Sequence, residues 1–349
     1  MFLKRLMMIE KGISTQKTKR IVVFGGTSAA FFFISRAIES GFEVILITTP
    51  FRLSAKIDNK ITFREALSDL NVTLIEISGN LTKDILEPYV NENTIGISIV
   101  TFWIFNDEII KLFKGYLFNY HGALLPEEKG GGTFTHKILS KSYDGGLNIH
   151  RIDLSIDSGP IVLEKRFQFP KECKTTLDFE EFKHNFEKKL LNDFLSLIIS
   201  GKQINFYPQK NNDSFYFPLL NTKINGVIDW SWKCSDIDIF IKAFDDPYDG
   251  ASTRYKNKLV HLKGSEVISS ERKFHPFQNG IIINKDDKGI YIASIGGILK
   301  VQSFFDENNC NITDNLSLGE RLYSPTSMIE NSMQEKARYG PLGLKNNVD

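Results

Sequence analysis

Residues 118–133 read FNYHGALLPEEKGGGT, which sets Asn119 and His121 two apart at the end of an apolar run. Asp157 follows 38 residues after Asn119, at the head of the short segment DSGP. An amide donor, an imidazole and a carboxylate meeting at a strand-end cleft suit acyl transfer to an amine. The amide and a protonated imidazole hydrogen-bond a developing oxyanion, and the carboxylate orients the imidazole or takes a proton from the attacking nitrogen. Each residue alone also has a structural reading. Asn and His at a strand end cap backbone, and Asp157-Ser158-Gly159 makes a β-turn by itself. Their combined order along the chain favours chemistry.

The elements that must position these residues alternate. RIVVF (20–24) is an apolar strand, Gly25-Gly26 a turn, and TSAAFFFISRAIESG a helix ending at Gly41. FEVILITT, VTLIEI, IGISIVTFW and YLFNYH read as further strands with helical segments between them. That alternation indicates an α/β fold with a doubly wound, predominantly parallel sheet, whose ligands bind at the carboxyl ends of the strands. Two strands then flank DSGP, and a long amphipathic helix runs to Gly201. Residues 203–222 are polar and read as a low-order linker. Beyond it, short β-rich runs suggest a small antiparallel barrel. The expected division is an N-terminal extension (1–19), a catalytic domain (20–202), the linker (203–222), a C-terminal domain (223–330) and a tail (331–349).

Several function classes drop out. GGTSAAFFF lacks the GxGxxG fingerprint, and the second strand ends in TTPFR with no acidic residue for a ribose, which argues against NAD. The net charge of +1 gives no global pull toward nucleic acid. The three cysteines are far apart and match neither a disulfide framework nor a CxxC site, so a reducing cytoplasm fits. The apolar run in residues 1–20 is too short and too interrupted by Lys4, Arg5, Glu10 and Lys11 for a signal peptide to be expected, and no apolar run reaches membrane-spanning length. His136 sits on the helix after the glycines, where a surface role is favoured over reaching the cleft, His150 alternates within a strand, and His184, His261 and His275 show no polar partners in register, so no metal is expected.

The constellation resembles the folate-dependent formyltransferases. The matching residues are Asn119-Tyr120-His121, Leu124-Leu125-Pro126, Lys129-Gly130 and Asp157-Ser158-Gly159. Ile228-Asp229-Trp230 and Pro247-Tyr248-Asp249-Gly250-Ala251 resemble the C-terminal domain of methionyl-tRNA formyltransferases. The resemblance implies a Rossmann-like formyltransferase domain followed by an OB-like barrel, and 10-formyltetrahydrofolate as formyl donor. It implies that Asn119 and His121 stabilise the tetrahedral intermediate and that Asp157 accepts the amine proton. By the same analogy Phe102, Trp103, Ile104, Leu125, Ile152, Asp153 and Ile156 form the folate pocket.

Lys129, Gly130, Gly131, Gly132 and Thr133 are expected to face the acceptor on a loop loosened by its glycines. Ala123, Lys129 and Thr133 depart from the family pattern of Ser, Arg and Pro, which puts the acceptor in question. From Asn205 onward, 17 basic residues stand against 18 acidic ones, unlike a surface built for tRNA phosphates. A nucleotide-linked amino sugar is the favoured acceptor. The alternatives are a divergent methionyl-tRNA formyltransferase and a non-catalytic folate or nucleotide-sugar binding module.

Overall fold

The computed structural model of the chain describes residues 10–57, 60–210 and 213–345. Its centre is a seven-stranded sheet. Arg20–Gly25, Glu43–Thr48, Thr73–Glu76, Thr94–Ile99 and Leu117–His121 run parallel. All six residues of Thr94–Ile99 are buried, as a strand covered on both faces requires. Arg20–Gly25 lies between Glu43–Thr48 and Thr94–Ile99. The chain therefore winds outward in both directions from this strand, and a crevice opens where the order reverses. Asp144–Arg151 and Ile161–Gln168 continue the sheet antiparallel beside Leu117–His121.

Helices close both faces. Ser28–Glu39 starts where the Thr27 side chain accepts from Ala30 N, and the 24-residue helix Thr176–Ile199 starts at a capping box of Thr175 and Asp178. Phe33 and Ile34 of the first helix meet Leu190, Leu191 and Phe194 of the second over one face of the sheet. Leu86, Phe105, Ile109 and Phe113 cover Phe24, Ile45 and Ile47 on the other.

The C-terminal half is a six-stranded antiparallel sheet built on Lys258–Ser269 and Gly297–Phe305. It curls until its edges meet: Ile282 N donates to Glu320 O at 2.8 Å and Leu322 N to Gly280 O at 2.9 Å. Helix Cys234–Ala243 packs against it, and Ile237, Phe240 and Phe244 share one apolar cluster with Ile138, Phe169 and Phe179 of the first half. The two halves thus have a common core. No helix among the described residues is long and apolar enough to cross a membrane.

Three segments are more ordered than their composition suggests. Glu10–Ser14 pairs antiparallel with Gln203–Phe206, so neither the described end of the extension nor the start of the linker is loose. Ile204 and Phe206 are buried, an alternation hidden within a polar stretch. Tyr207 bridges to Ile161, and Tyr216–Phe217 runs parallel to Lys129–Gly130. In the tail, helix Thr326–Gln334 leads to a hairpin of Tyr339–Gly340 with Gly343–Leu344.

Gly25 sits at the order reversal with φ +114°, and a Cβ there would lie 2.0 Å from Ile99 O. Gly41 has φ +86° and open space around it. Gly41→Ala should cost about 1–3 kcal/mol from backbone strain alone. Gly25→Ala should cost more, because the clash adds to the strain. Urea midpoints at constant m-value measure both, and equal losses would show that the close approach is relaxed without penalty.

Candidate active site

Successive strand residues point to opposite faces, so Asn119 and His121 share one side and Tyr120 takes the other. Behind the strand, Tyr120 donates its hydroxyl to the buried carboxylate of Glu187. Burial pushes the Glu187 carboxyl up, but Lys183 at 3.3 Å, His184 at 3.7 Å and Tyr120 together hold it down at about 2. On the front, Asn119 lies directly opposite His150 across the antiparallel pair.

Asp157 arrives from the turn between the two antiparallel strands. Its φ is +51°, an unusual backbone for a residue with a side chain. Gly159 follows where a Cβ would lie 1.8 Å from Arg151 O. One side-chain amide holds this turn: Gln209 Nε2 donates to Asp157 O at 2.8 Å and to Gly159 O at 2.7 Å. Gln209 belongs to the segment that composition alone reads as a linker.

The Asp157 carboxylate is where the cluster converges. Oδ2 accepts from Gly130 N at 2.9 Å and lies 3.6 Å from His121 Nδ1. Oδ1 accepts from Asn119 Nδ2 at 3.2 Å and lies 3.4 Å from His150 Nε2. Burial opposes the charge on Asp157, but His121, His150 and the Gly130 N–H outweigh it and hold the carboxyl well below the usual range. The structure therefore brings together Asn119, His121 and Asp157, with the carboxylate ionised.

His150 is a fourth member that the spacing of motifs does not reveal. Its Nδ1 lies 2.9 Å from Arg151 O, a carbonyl that only accepts, so Nδ1 carries a proton. Its Nε2, 3.1 Å from Asn119 Nδ2, accepts from Asn119 when unprotonated and donates to Asp157 when protonated. By the same reasoning His121 Nε2, 2.6 Å from Glu128 O, carries a proton. For His121 to donate to a reacting oxygen, that contact has to give way. The signal for His150 lies in the register: pairing the strands on either side of the glycine loop sets it opposite Asn119.

The cluster opens into a cleft of about 450 Å³. Phe102, Trp103, Ile104, Ile152, Asp153 and Ile156 line it. Leu125 does not: it is fully buried and turned into the interior beside Ala123 and Leu124, which are also buried. Trp103 is fixed by Nε1 donating to Gly79 O at 3.0 Å, whereas Ile104 stands 76 % exposed at the mouth. Asp153 shapes the turn, since its Oδ1 accepts from Ser155 N and from the Ser158 hydroxyl. Among the described residues no group of three or more His, Cys, Asp or Glu side chains could hold a metal ion.

Gly130, Gly131, Gly132 and Thr133 line the same cleft, while Lys129 lines a small neighbouring cavity with His136 and Phe217. The glycines do not loosen this loop. Lys129 N donates to Phe215 O at 2.9 Å and Gly131 N to Phe217 O at 3.0 Å. A Cβ on Gly130 would lie 2.1 Å from Phe217 O, and one on Gly131 would lie 2.7 Å from the Leu219 side chain. Glycine here permits close approach of two backbones, and the strand pairing removes the freedom that it would otherwise bring. His136, on the next helix, reaches Pro218 O at 3.0 Å and reinforces the seam.

Residues 19–195 match the family model described as Formyl transferase. Residues 221–316 match Formyl transferase, C-terminal domain. A methionyl-tRNA formyltransferase of Clostridium novyi (strain NT) is 26% identical over 195 residues, covering 56% of this chain and 61% of that protein. The chain thus spans about three-fifths of that relative's length. One from Blochmanniella floridana is 24% identical over 329 residues, covering 90% and 98%. The solved N-formyltransferase from Helicobacter canadensis, in complex with folinic acid and dTDP-3-aminofucose, shares the fold. Its TM-score is 0.61 at 20% identity, over 82% of this chain and 99% of that one.

The Glu187 carboxyl titrates near 2 in the folded chain and at about 4.3 when unfolded. A depressed carboxyl contributes stability that is present above the unfolded value and lost as pH falls through the folded one. Thermal melts between about pH 5 and pH 2 should therefore show a shallower decline for Glu187→Gln than for the wild type. Parallel declines would mean that this carboxylate is not specifically stabilised.

Proposed function

The chain belongs to the formyl transferase family, and on that premise we propose that it moves a formyl group from 10-formyltetrahydrofolate to the primary amine of a nucleotide-linked amino sugar. The observation that carries the reaction is the convergence of Asn119, His121 and Asp157 on the floor of one cleft. The cleft's volume of about 450 Å³ suits a folate-sized ring system, and Phe102, Ile104 and Ile156 offer it apolar walls. When bound, the folate supplies the formyl carbon. Asn119 and His121 would donate hydrogen bonds to the oxygen that gains charge, and Asp157, already ionised, would accept the proton lost by the attacking nitrogen.

Charge in the C-terminal half supports a small acceptor. Arg254, Lys256, Lys258 and Lys263 make the most basic run on those strands. Yet Lys256 lies 3.3 Å from Glu320 and Lys263 lies 2.7 Å from Asp246. Lys285 and Lys300 face Asp314 and Glu266 in the same way. Such pairing weakens the field that draws in an RNA backbone. In this reading residues 20–202 are the catalytic domain and 223–330 an accessory one, whose curled sheet fits an OB-like barrel. The free cysteines fit a cytoplasmic setting. A second reading, formylation of methionyl-tRNA, is favoured by the 98% coverage of the Blochmanniella relative.

Purified protein given 10-formyltetrahydrofolate should turn over an amino sugar from a nucleotide-linked panel and leave charged initiator tRNA unmodified; turnover on tRNA alone would select the second reading. Asp157→Asn should lower kcat by about 10³-fold or more while binding of a folate analogue persists. Gln209→Glu should lower kcat by about 10²-fold through misplacement of the same carboxylate. An unaltered rate in the first variant would remove Asp157 from the chemistry, and in the second would release Gln209 from its positioning role.

A further inference from the structure

Arg52 is the cationic member of the cleft lining whose charge the fold leaves unanswered. It follows the Glu43–Thr48 strand in the short helix Pro50–Ser54, where its N–H donates to the capping Thr49 hydroxyl. Its guanidinium carbon lies 4.1 Å from the centroid of the Phe102 ring. That ring stacks against Tyr339 at 5.6 Å with 5° between planes, and meets Phe51 edge-on at 5.6 Å. The tail hairpin is itself held in place: Asn221 Nδ2 donates to the Tyr339 hydroxyl at 2.8 Å, and Gly343 passes close against the Phe51 ring.

Four other arginines of this half have carboxylate partners: Arg20 with Glu43, Arg36 with Glu39, Arg64 with Glu76 and Arg166 with Glu164. Arg52 forms no ion pair with any described residue, and its Nε is buried without a hydrogen-bond partner. Withdrawal from water already lowers its pKa to about 10. An unpaired, partly desolvated guanidinium is costly to hold. Its planar fork matches the oxygens of a phosphate or carboxylate, and an aromatic platform fixes its aim.

We propose that Arg52, held over Phe102 by the tail hairpin, is the anion-binding point of the cleft and takes an oxyanion group of a substrate. This rests on the formyl-transfer reading, which offers two sources of that chemistry: the diphosphate of the acceptor's nucleotide and the glutamate carboxylates of the folate.

Calorimetry on the full chain separates them. The probes are dTDP for the first source, and 5-formyltetrahydrofolate beside its analogue without glutamate for the second. Arg52→Gln should weaken either dTDP or the glutamate-bearing folate by about 10-fold or more, the worth of a charged hydrogen bond. Binding of the glutamate-free analogue should be unchanged, and Arg52→Lys should fall between the two. The melting temperature should hold or rise, because a buried charge without a partner has been removed, and this separates a binding role from a structural one. Unchanged affinity for both anionic probes overturns the proposal while leaving formyl transfer standing, as does an equal loss with the glutamate-free analogue. A wild-type chain that binds neither dTDP nor either folate overturns both.

Discussion

A carboxylate taken out of water has to be met by donors, and the site is arranged around that demand at Asp157. Burial alone would neutralise this group. It stays charged because the Gly130 N–H, the Asn119 amide and two imidazoles approach it from different elements. These groups come from three parts of the fold: Asn119 and His121 from a parallel strand, His150 from its antiparallel neighbour, and Gly130 from the glycine loop. The seven-stranded sheet, with its switch from parallel to antiparallel at Leu117–His121, is what lets them meet.

Residues 203–210 and 213–217 tie these parts together. They first pair with the N-terminal strand, next bridge to Ile161, then clamp the Asp157 turn through Gln209 and finally lie along the glycine loop. Polar side chains along this path do not signal disorder. The backbone here pairs with neighbouring strands, Ile204 and Phe206 pack into the core, and the Gln209 amide holds the Asp157 turn.

Much of this was legible in the residues. Val, Ile and Leu runs between glycines and helical segments specify a doubly wound sheet, because buried parallel strands are apolar on both faces. Asn119, His121 and Asp157 stand out because their types and order suit one chemistry. His150 did not, since its role comes from cross-strand register and not from any neighbour in sequence. Leu125 misled for the opposite reason: it lies within the matching motif, yet it packs inward and supports the loop from behind. Gly130, Gly131 and Gly132 suggest freedom by residue type, whereas the partner strand that constrains them lies more than 80 residues away and leaves no local trace.

That pairing of Lys129–Gly130 with Tyr216–Phe217 bears on how separable the parts of the chain are. A cut after the long helix Thr176–Ile199 looks like a natural domain boundary by composition and by helix length. It would strip the glycine loop of its neighbouring strand and the Asp157 turn of its clamp, although Asn119, His121, His150 and Asp157 would all remain. The part that holds the cluster in place is therefore not the α/β half alone, but that half together with the thread that sews it to the next.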